Sequence, residues 1–294
     1  MKHNLLRENC LGDVCRFNSF NNTDFIRKFL GFRKPFIIND LVMTWNTRTM
    51  WDTNYLSKTV GDNLVSFGKL NESNIVDYER VQTKTMRDFL RYIEDYENGL
   101  CLTNSEKIYM VISRIMSHAK AREIRLPELL RDIEVPYFIP FNKLWEINLW
   151  MGIGGNRSNL HFDPEENILT VLKGSKKIIL FAPNQTKFLY QNKNSKVNKL
   201  HSLVDIFNID RTNHSLIDKA KFYQIELIEG ESLYIPSGWW HAVESSIDRN
   251  ISINFWWLVK FDYLFRFSNP SMKRLWQKDR KWLTVIRSEF NFNN

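Results

Sequence analysis

His161-Phe162-Asp163 and a second histidine far along the chain, His241, supply two imidazoles and one carboxylate. On a strand, residues i and i+2 face the same side, so His161 and Asp163 can project together. Two histidines and one carboxylate leave part of a metal's coordination sphere open. That is the facial triad of non-haem iron chemistry, where a bidentate cosubstrate and dioxygen must both reach the ion. An H-x-D tripeptide alone says little, and a lone His241 beside Trp239 and Trp240 reads as a packed core histidine. Taken together, in a chain with six histidines and on strand-like segments, they favour a metal centre. Zinc is the chemical rival, and a zinc hydrolase would need a nearby general base such as Glu165 or Glu166.

The elements that must position these groups follow from periodicity. Residues 34–40 read as a short strand ending in a turn, 52–60 as a helix closed by Gly61, and 63–67 as a strand. Thr85 can cap a helix whose apolar face is Met86, Phe89, Leu90 and Ile93, with Asp88 at the capping-box position and Gly99 ending it. Residues 126–133 predict another short helix, stopped by Pro136. From Leu144 the pattern changes: 145–151 alternates with period two. Strand-like runs follow at 167–172, 176–181, 223–228, 232–235, 240–245 and 250–257, punctuated by Gly174, Gly230 and Gly238. Many short strands at this spacing indicate a sandwich or barrel. The tail, 261–290, turns helical, with Leu275, Trp276, Leu283, Ile286 and Phe290 near one face. No Pro/Gly/Ser-rich linker divides the chain. The expectation is a single domain over 1–294: a mixed N-terminal part at 1–143, a β-barrel core at 144–258 and a helical C-terminal extension at 259–294.

Composition narrows the classes. Ten Trp and twenty-one Phe among 294 residues favour a bulky core over disorder. Cys10, Cys15 and Cys101 form no C-x-x-C pair, which argues against a disulfide framework and a zinc ribbon. No apolar run approaches the roughly 18 residues of a membrane span, and the N-terminus lacks a secretory pattern. An intracellular protein, cytoplasmic or nuclear, is expected. The net charge of +8 fits nucleic acid, an acidic protein or an anionic small substrate, and equally a lysine-rich background.

Three segments carry a family resemblance: N-L-H-F-D-P-E-E-N-I-L-T-V-L-K-G-S-K-K-I-I-L-F-A-P at 159–183, G-E-S-L-Y-I-P-S-G-W-W-H-A-V-E-S at 230–245 and N-I-S-I-N-F-W-W at 250–257. Residues 145–257 resemble a JmjC domain of the cupin-like, hydroxylase branch, similar to factor-inhibiting-HIF. K-P-F-I-I-N-D, followed by Trp45 and Trp51, resembles the lead-in of such hydroxylases, while 62–140 matches poorly. The resemblance implies a mainly β fold with flanking helices around a double-stranded β-helix (jelly-roll/cupin) core. It implies Fe(II) as metal, 2-oxoglutarate as cosubstrate and O2 as oxidant. His161, Asp163 and His241 match the iron ligands, and Lys176 matches the lysine that pairs with the distal carboxylate of 2-oxoglutarate. A dicarboxylate in a barrel needs a fixed cation. Lys177 should face away, by the period of two, and Lys173 should sit at a hairpin tip. Asn167 and Asn254 match two asparagines lining the cosubstrate pocket. Ser158 falls where the family has a threonine on the same carboxylate, and Tyr109 matches a tyrosine of this pocket. Trp240 and Trp256 read as wall residues.

The leading expectation is hydroxylation of a protein side chain, coupled to decarboxylation of 2-oxoglutarate to succinate and CO2. Small JmjC relatives include a tRNA-nucleoside hydroxylase. Lys273, Arg274, Lys278, Arg280 and Lys281, with Trp276 and Trp282, could present a basic face to RNA, although a docking helix or homodimer interface explains them better. N-methyl-lysine or arginine demethylation and a non-catalytic cupin-like binding protein are the further alternatives. The absence of a zinc-binding cysteine set or a chromatin-reading module weighs against a chromatin demethylase.

Overall fold

The computed structural model describes residues 5–17, 31–43, 45, 51–77, 80–100, 107–111, 113–118, 123–195 and 199–258. Its strands are β1 (Cys15–Phe17), β2 (Phe36–Ile38), β3 (Leu64–Lys69), β4 (Gln82–Thr85), β5 (Ile108–Met110), β6 (Ser113–Ser117), β7 (Leu144–Gly152), β8 (His161–Phe162), β9 (Glu166–Lys173), β10 (Ser175–Phe181), β11 (Tyr223–Ile228), β12 (Ser232–Ile235), β13 (Trp240–Ser245) and β14 (Asn250–Trp257). The larger sheet runs β1-β2-β12-β9-β14-β7-β5-β3-β4, with β6 also paired to β7. The smaller runs β11-β10-β13-β8. The α-helices that lie wholly within the described residues are α1 (Thr53–Val60) and α2 (Met86–Glu97).

The strands that carry the cavity are buried on both faces. On β14, Ser252, Asn254 and Trp256 face a cavity between the sheets. Ile251, Ile253, Phe255 and Trp257 face outward into the main core, beside Ile147, Leu149 and Met151 of β7. Helix residues Leu56, Val60, Phe89, Leu90 and Ile93 cover that outer face. The smaller sheet is covered too: Phe162, Ile179, Phe181, Trp240 and Ala242 pack against Leu189, Val204, Ile217 and Phe222. Both outer faces are therefore apolar, and between the sheets an apolar cluster of Leu169, Val171, Leu233 and Ile235 with Ile178, Leu180 and Leu227 lies beside the polar cavity residues.

Several expectations shift in detail. The stretch 126–133 forms a 3-10 turn, Pro127–Asp132, the run being too short to propagate an α-helix. Lys173 is exposed at a corner: β9 belongs to the larger sheet and β10 to the smaller, so the chain changes sheets there. Gly174 makes the corner with φ 79°, and a Cβ on it would lie 2.6 Å from Ser246 Oγ. Trp240 lies on the outer face of β13, its Nε1 donating to Thr186 Oγ1 at 2.9 Å, and does not wall the cavity. Strands β3, β5 and β6 extend the same sheet as β7, so residue 144 marks no break in it. The expected helices of 259–294 lie outside the described residues. Among the described residues no helix is long and apolar enough to cross a membrane.

Helix α2 starts where its cap requires. Thr85 Oγ1 accepts from Asp88 N–H at 3.1 Å and its hydroxyl donates to Asp88 Oδ2 at 2.7 Å. Thr85→Ala should cost about 1 kcal/mol, read as a lower urea midpoint at an unchanged slope.

Candidate functional site

Strand β8 delivers His161, and Asp163 follows just past its end. Strand β13 delivers His241, the cross-strand partner of His161. The imidazole centroids are 4.2 Å apart. Asp163 Oδ1 lies 4.0 Å from His161 Nε2, and Oδ2 lies 3.6 Å from His241 Nε2. One donor atom from each residue falls within 4.8 Å of the others.

The backbone settles which nitrogens face the carboxylate. His161 Nδ1 is 2.7 Å from the Asn159 carbonyl and His241 Nδ1 is 3.1 Å from that of Trp239. A carbonyl only accepts, so both Nδ1 atoms carry the proton and both Nε2 lone pairs point at the centre. Burial, with the neighbouring His241 imidazole adding to it, holds His161 down at about 4. Burial drives His241 down to about 4, against the Trp239 carbonyl and with His201 adding to it. Both rings are neutral at pH 7, the form that ligates. Burial pushes the Asp163 carboxyl up, as expected of an anion lacking its cation. The donor set fits a divalent metal with open positions.

The same cavity, about 270 Å³, is lined by Tyr109, Ser158, His161, Asp163, Asn167, Lys176, His241 and Asn254. Lys176 lies on β10, which neighbours β13, and its side chain is almost fully buried. Its Nζ donates to Ser245 Oγ at 2.8 Å and lies 3.5 Å from Tyr109 Oη. Neither partner is an anion. Lys177, one step on, is half-buried with Glu226 and Glu244 as cross-strand neighbours. Trp150 Nε1 donates to Asn254 Oδ1 at 2.7 Å, and Asn254 Nδ2 donates to Asn167 Oδ1 at 3.2 Å. These bonds fix both amides where they line the cavity. Ser158 Oγ accepts from Val243 N–H at 2.9 Å, which leaves its hydroxyl proton to give. Tyr109 reaches in because Gly152 admits it: a Cβ there would lie 2.5 Å from Tyr109 Cδ2.

Burial pulls Lys176 down to about 7. A dicarboxylate must pair with the ammonium form, so below pH 7 the free protein is already charged and affinity is flat. Above pH 7 binding must take up a proton, and affinity should fall up to about tenfold per pH unit. Calorimetry in buffers of different ionisation heats should show proton uptake at pH 8 and little at pH 6.

The description "cupin-like domain" matches residues 22–263. The chain belongs to the cupin-like JmjC family. Jumonji C domain-containing protein 5 of Drosophila melanogaster is 29% identical over 255 residues, covering 85% of this chain and 60% of that protein. Lysine-specific demethylase JMJ31 of Arabidopsis thaliana is 33% identical over 169 residues, covering 56% and 29%. JmjC domain-containing protein D of Dictyostelium discoideum is 30% identical over 257 residues, covering 82% and 55%. The chain spans about half the length of the curated relatives it matches. JmjC enzymes use Fe(II) and 2-oxoglutarate, and among the described residues the His161–Asp163–His241 group is able to hold a metal.

Other residues escaped the sequence reading. His201 lines the cavity and stacks on His161 at 5.3 Å and 21°. It comes from an Asn- and Lys-rich loop at 191–221, where no periodicity signals a site. Ile75 and Val76 line the cavity from the poorly matching N-terminal region. Glu166, weighed above as a hydrolytic base, is bound to Arg33, Tyr234 and Ser237 and is absent from the cavity lining. A base must reach the proton it takes, so the zinc-hydrolase alternative loses that candidate.

Proposed function

We propose that this chain is an Fe(II)- and 2-oxoglutarate-dependent hydroxylase acting on a protein side chain. The observation that carries the reading is the convergence of a neutral His/Asp/His donor set and an anion-less buried Lys176 on one cavity. When bound, iron(II) with 2-oxoglutarate and O2 supplies oxidative decarboxylation to succinate and CO2, coupled to hydroxylation of a C–H bond. His161, Asp163 and His241 would hold the metal on one side and leave the cavity side open. Lys176, with Ser158 and Tyr109 around it, would receive the distal carboxylate. Asn167 and Asn254 would give hydrogen bonds at its flank, already oriented by Trp150. The apolar walls Val243, Ile235 and Leu169 exclude water from the reacting centre.

Demethylation is the second reading, favoured by relatives named lysine-specific demethylases. A hydroxylated N-methyl group collapses to formaldehyde and the amine, so the two readings share one site. Chain incubated with Fe(II), 2-oxoglutarate and a cell-extract peptide pool should produce succinate. Mass spectrometry should then show peptides gaining one oxygen. Loss of methyl groups with formaldehyde release would decide for demethylation. No succinate under any condition would refute both and leave a binding protein.

A further inference from the structure

We propose that Arg33 is a positioning residue for the metal centre, acting through Glu166 to latch together the loop that carries Asp163 and the loop that orients His241. The proposal rests on the metal reading above. Arg33 has φ 51°, a region that non-glycine residues seldom occupy unless their surroundings impose it. Its side chain is buried, with Nη1 2.8 Å from Glu166 Oε1 and Nη2 donating to the Ser237 carbonyl at 3.2 Å. Its own carbonyl accepts from Trp239 Nε1 at 3.1 Å.

Glu166 completes the block. Its Oε2 accepts from the Tyr234 hydroxyl at 2.7 Å and from Ser237 N–H at 3.0 Å. Two further bonds join the loops directly: Gly238 N–H donates to the Asp163 carbonyl at 2.9 Å, and Ser237 Oγ donates to the Pro164 carbonyl at 2.8 Å. One loop therefore holds a metal-ligating carboxylate. The other ends on the Trp239 carbonyl, which accepts from His241 Nδ1. Whatever fixes that carbonyl fixes the plane and tautomer of the ligand. The guanidinium fork reaches Glu166 and Ser237 together, a geometry that a lysine ammonium does not reproduce. Neither Arg33 nor Glu166 lines the cavity, so their influence runs through the ligands.

Co(II) titration of the metal-free chain, followed by ligand-field absorption, tests the latch. The comparison variants are Arg33→Met, Arg33→Lys, Tyr234→Phe and Phe89→Leu, the last a core change on α2 that lowers stability away from the site. Arg33→Met should weaken Co(II) binding about 10–100-fold and alter the spectrum, with Arg33→Lys intermediate and Phe89→Leu within about twofold of wild type. Tyr234→Phe keeps the ring and removes one bond to Glu166. It should weaken Co(II) binding several-fold and serves if Arg33→Met does not fold. Wild-type affinity and spectrum in Arg33→Met, or in Tyr234→Phe if the former fails to fold, would overturn the latch. An equal loss in Phe89→Leu would also overturn it. A wild-type chain that takes up no Co(II) would sink the metal reading itself, and the latch with it.

Discussion

Asp163→Asn should raise the stability of the metal-free protein and abolish its stabilisation by metal. Burial raises the Asp163 carboxyl above its ordinary range. A carboxyl with a folded pKa above its unfolded value costs stability once pH exceeds the unfolded pKa, and the full cost is present above the folded one. An amide removes that cost. The same change removes one of three metal donors. Groups that merely orient ligands are worth about 10–100-fold in affinity, so losing a donor should exceed about 100-fold. Stabilisation by ligand scales as the logarithm of concentration over Kd, so the Mn(II)-induced rise in Tm should vanish. His241→Ala should also lose the metal-induced rise but without the metal-free gain, since a neutral imidazole carries no buried charge. Scanning calorimetry at pH 7 with and without Mn(II) separates these outcomes.

Lys176→Ala should weaken 2-oxoglutarate by roughly 3–5 kcal/mol if the site is fully desolvated, because a buried carboxylate is left without its cation. At about 1.4 kcal/mol per decade that exceeds a hundredfold. Mn(II) affinity should barely change, as Lys176 Nζ contacts Ser245 and Tyr109 and no metal donor. Lys176→Met, which keeps the packing, should behave alike. Lys177→Ala should leave 2-oxoglutarate affinity near wild type. If Lys177→Ala had the larger effect, the strand register that places Lys176 inward would be wrong. Titration calorimetry of 2-oxoglutarate at pH 6.5 with Mn(II) present reads all three.

Period-two reasoning reached the candidate site because strands β8, β9, β10, β13 and β14 carry it. The distinction between Lys176 and Lys177 depends only on which face a residue takes, whereas Asn167 and Asn254 came from the family resemblance. Local signals also sufficed for α2, where Thr85 caps and Gly99, at φ 70°, follows the end. The sheet order was not legible, because β2 pairing with β12 and β6 with β7 are long-range choices with no local signature. Trp240 was misplaced for a related reason: alternation places it opposite His241, but only the covering segment shows that the outer face is dry. His201 lies in a loop and Arg33 is a left-handed residue just before β2, where periodicity carries no information.

The most direct test of the central claim is titration of 2-oxoglutarate into the wild-type chain with and without Mn(II). The candidate metal donors and Lys176 line one cavity, so metal and dicarboxylate should each tighten the other by the same factor. The account predicts one site per chain and clear tightening by Mn(II). That coupling should be lost in Asp163→Asn and 2-oxoglutarate binding itself weakened in Lys176→Ala. Equal 2-oxoglutarate affinity with and without metal, unchanged in both variants, would contradict it.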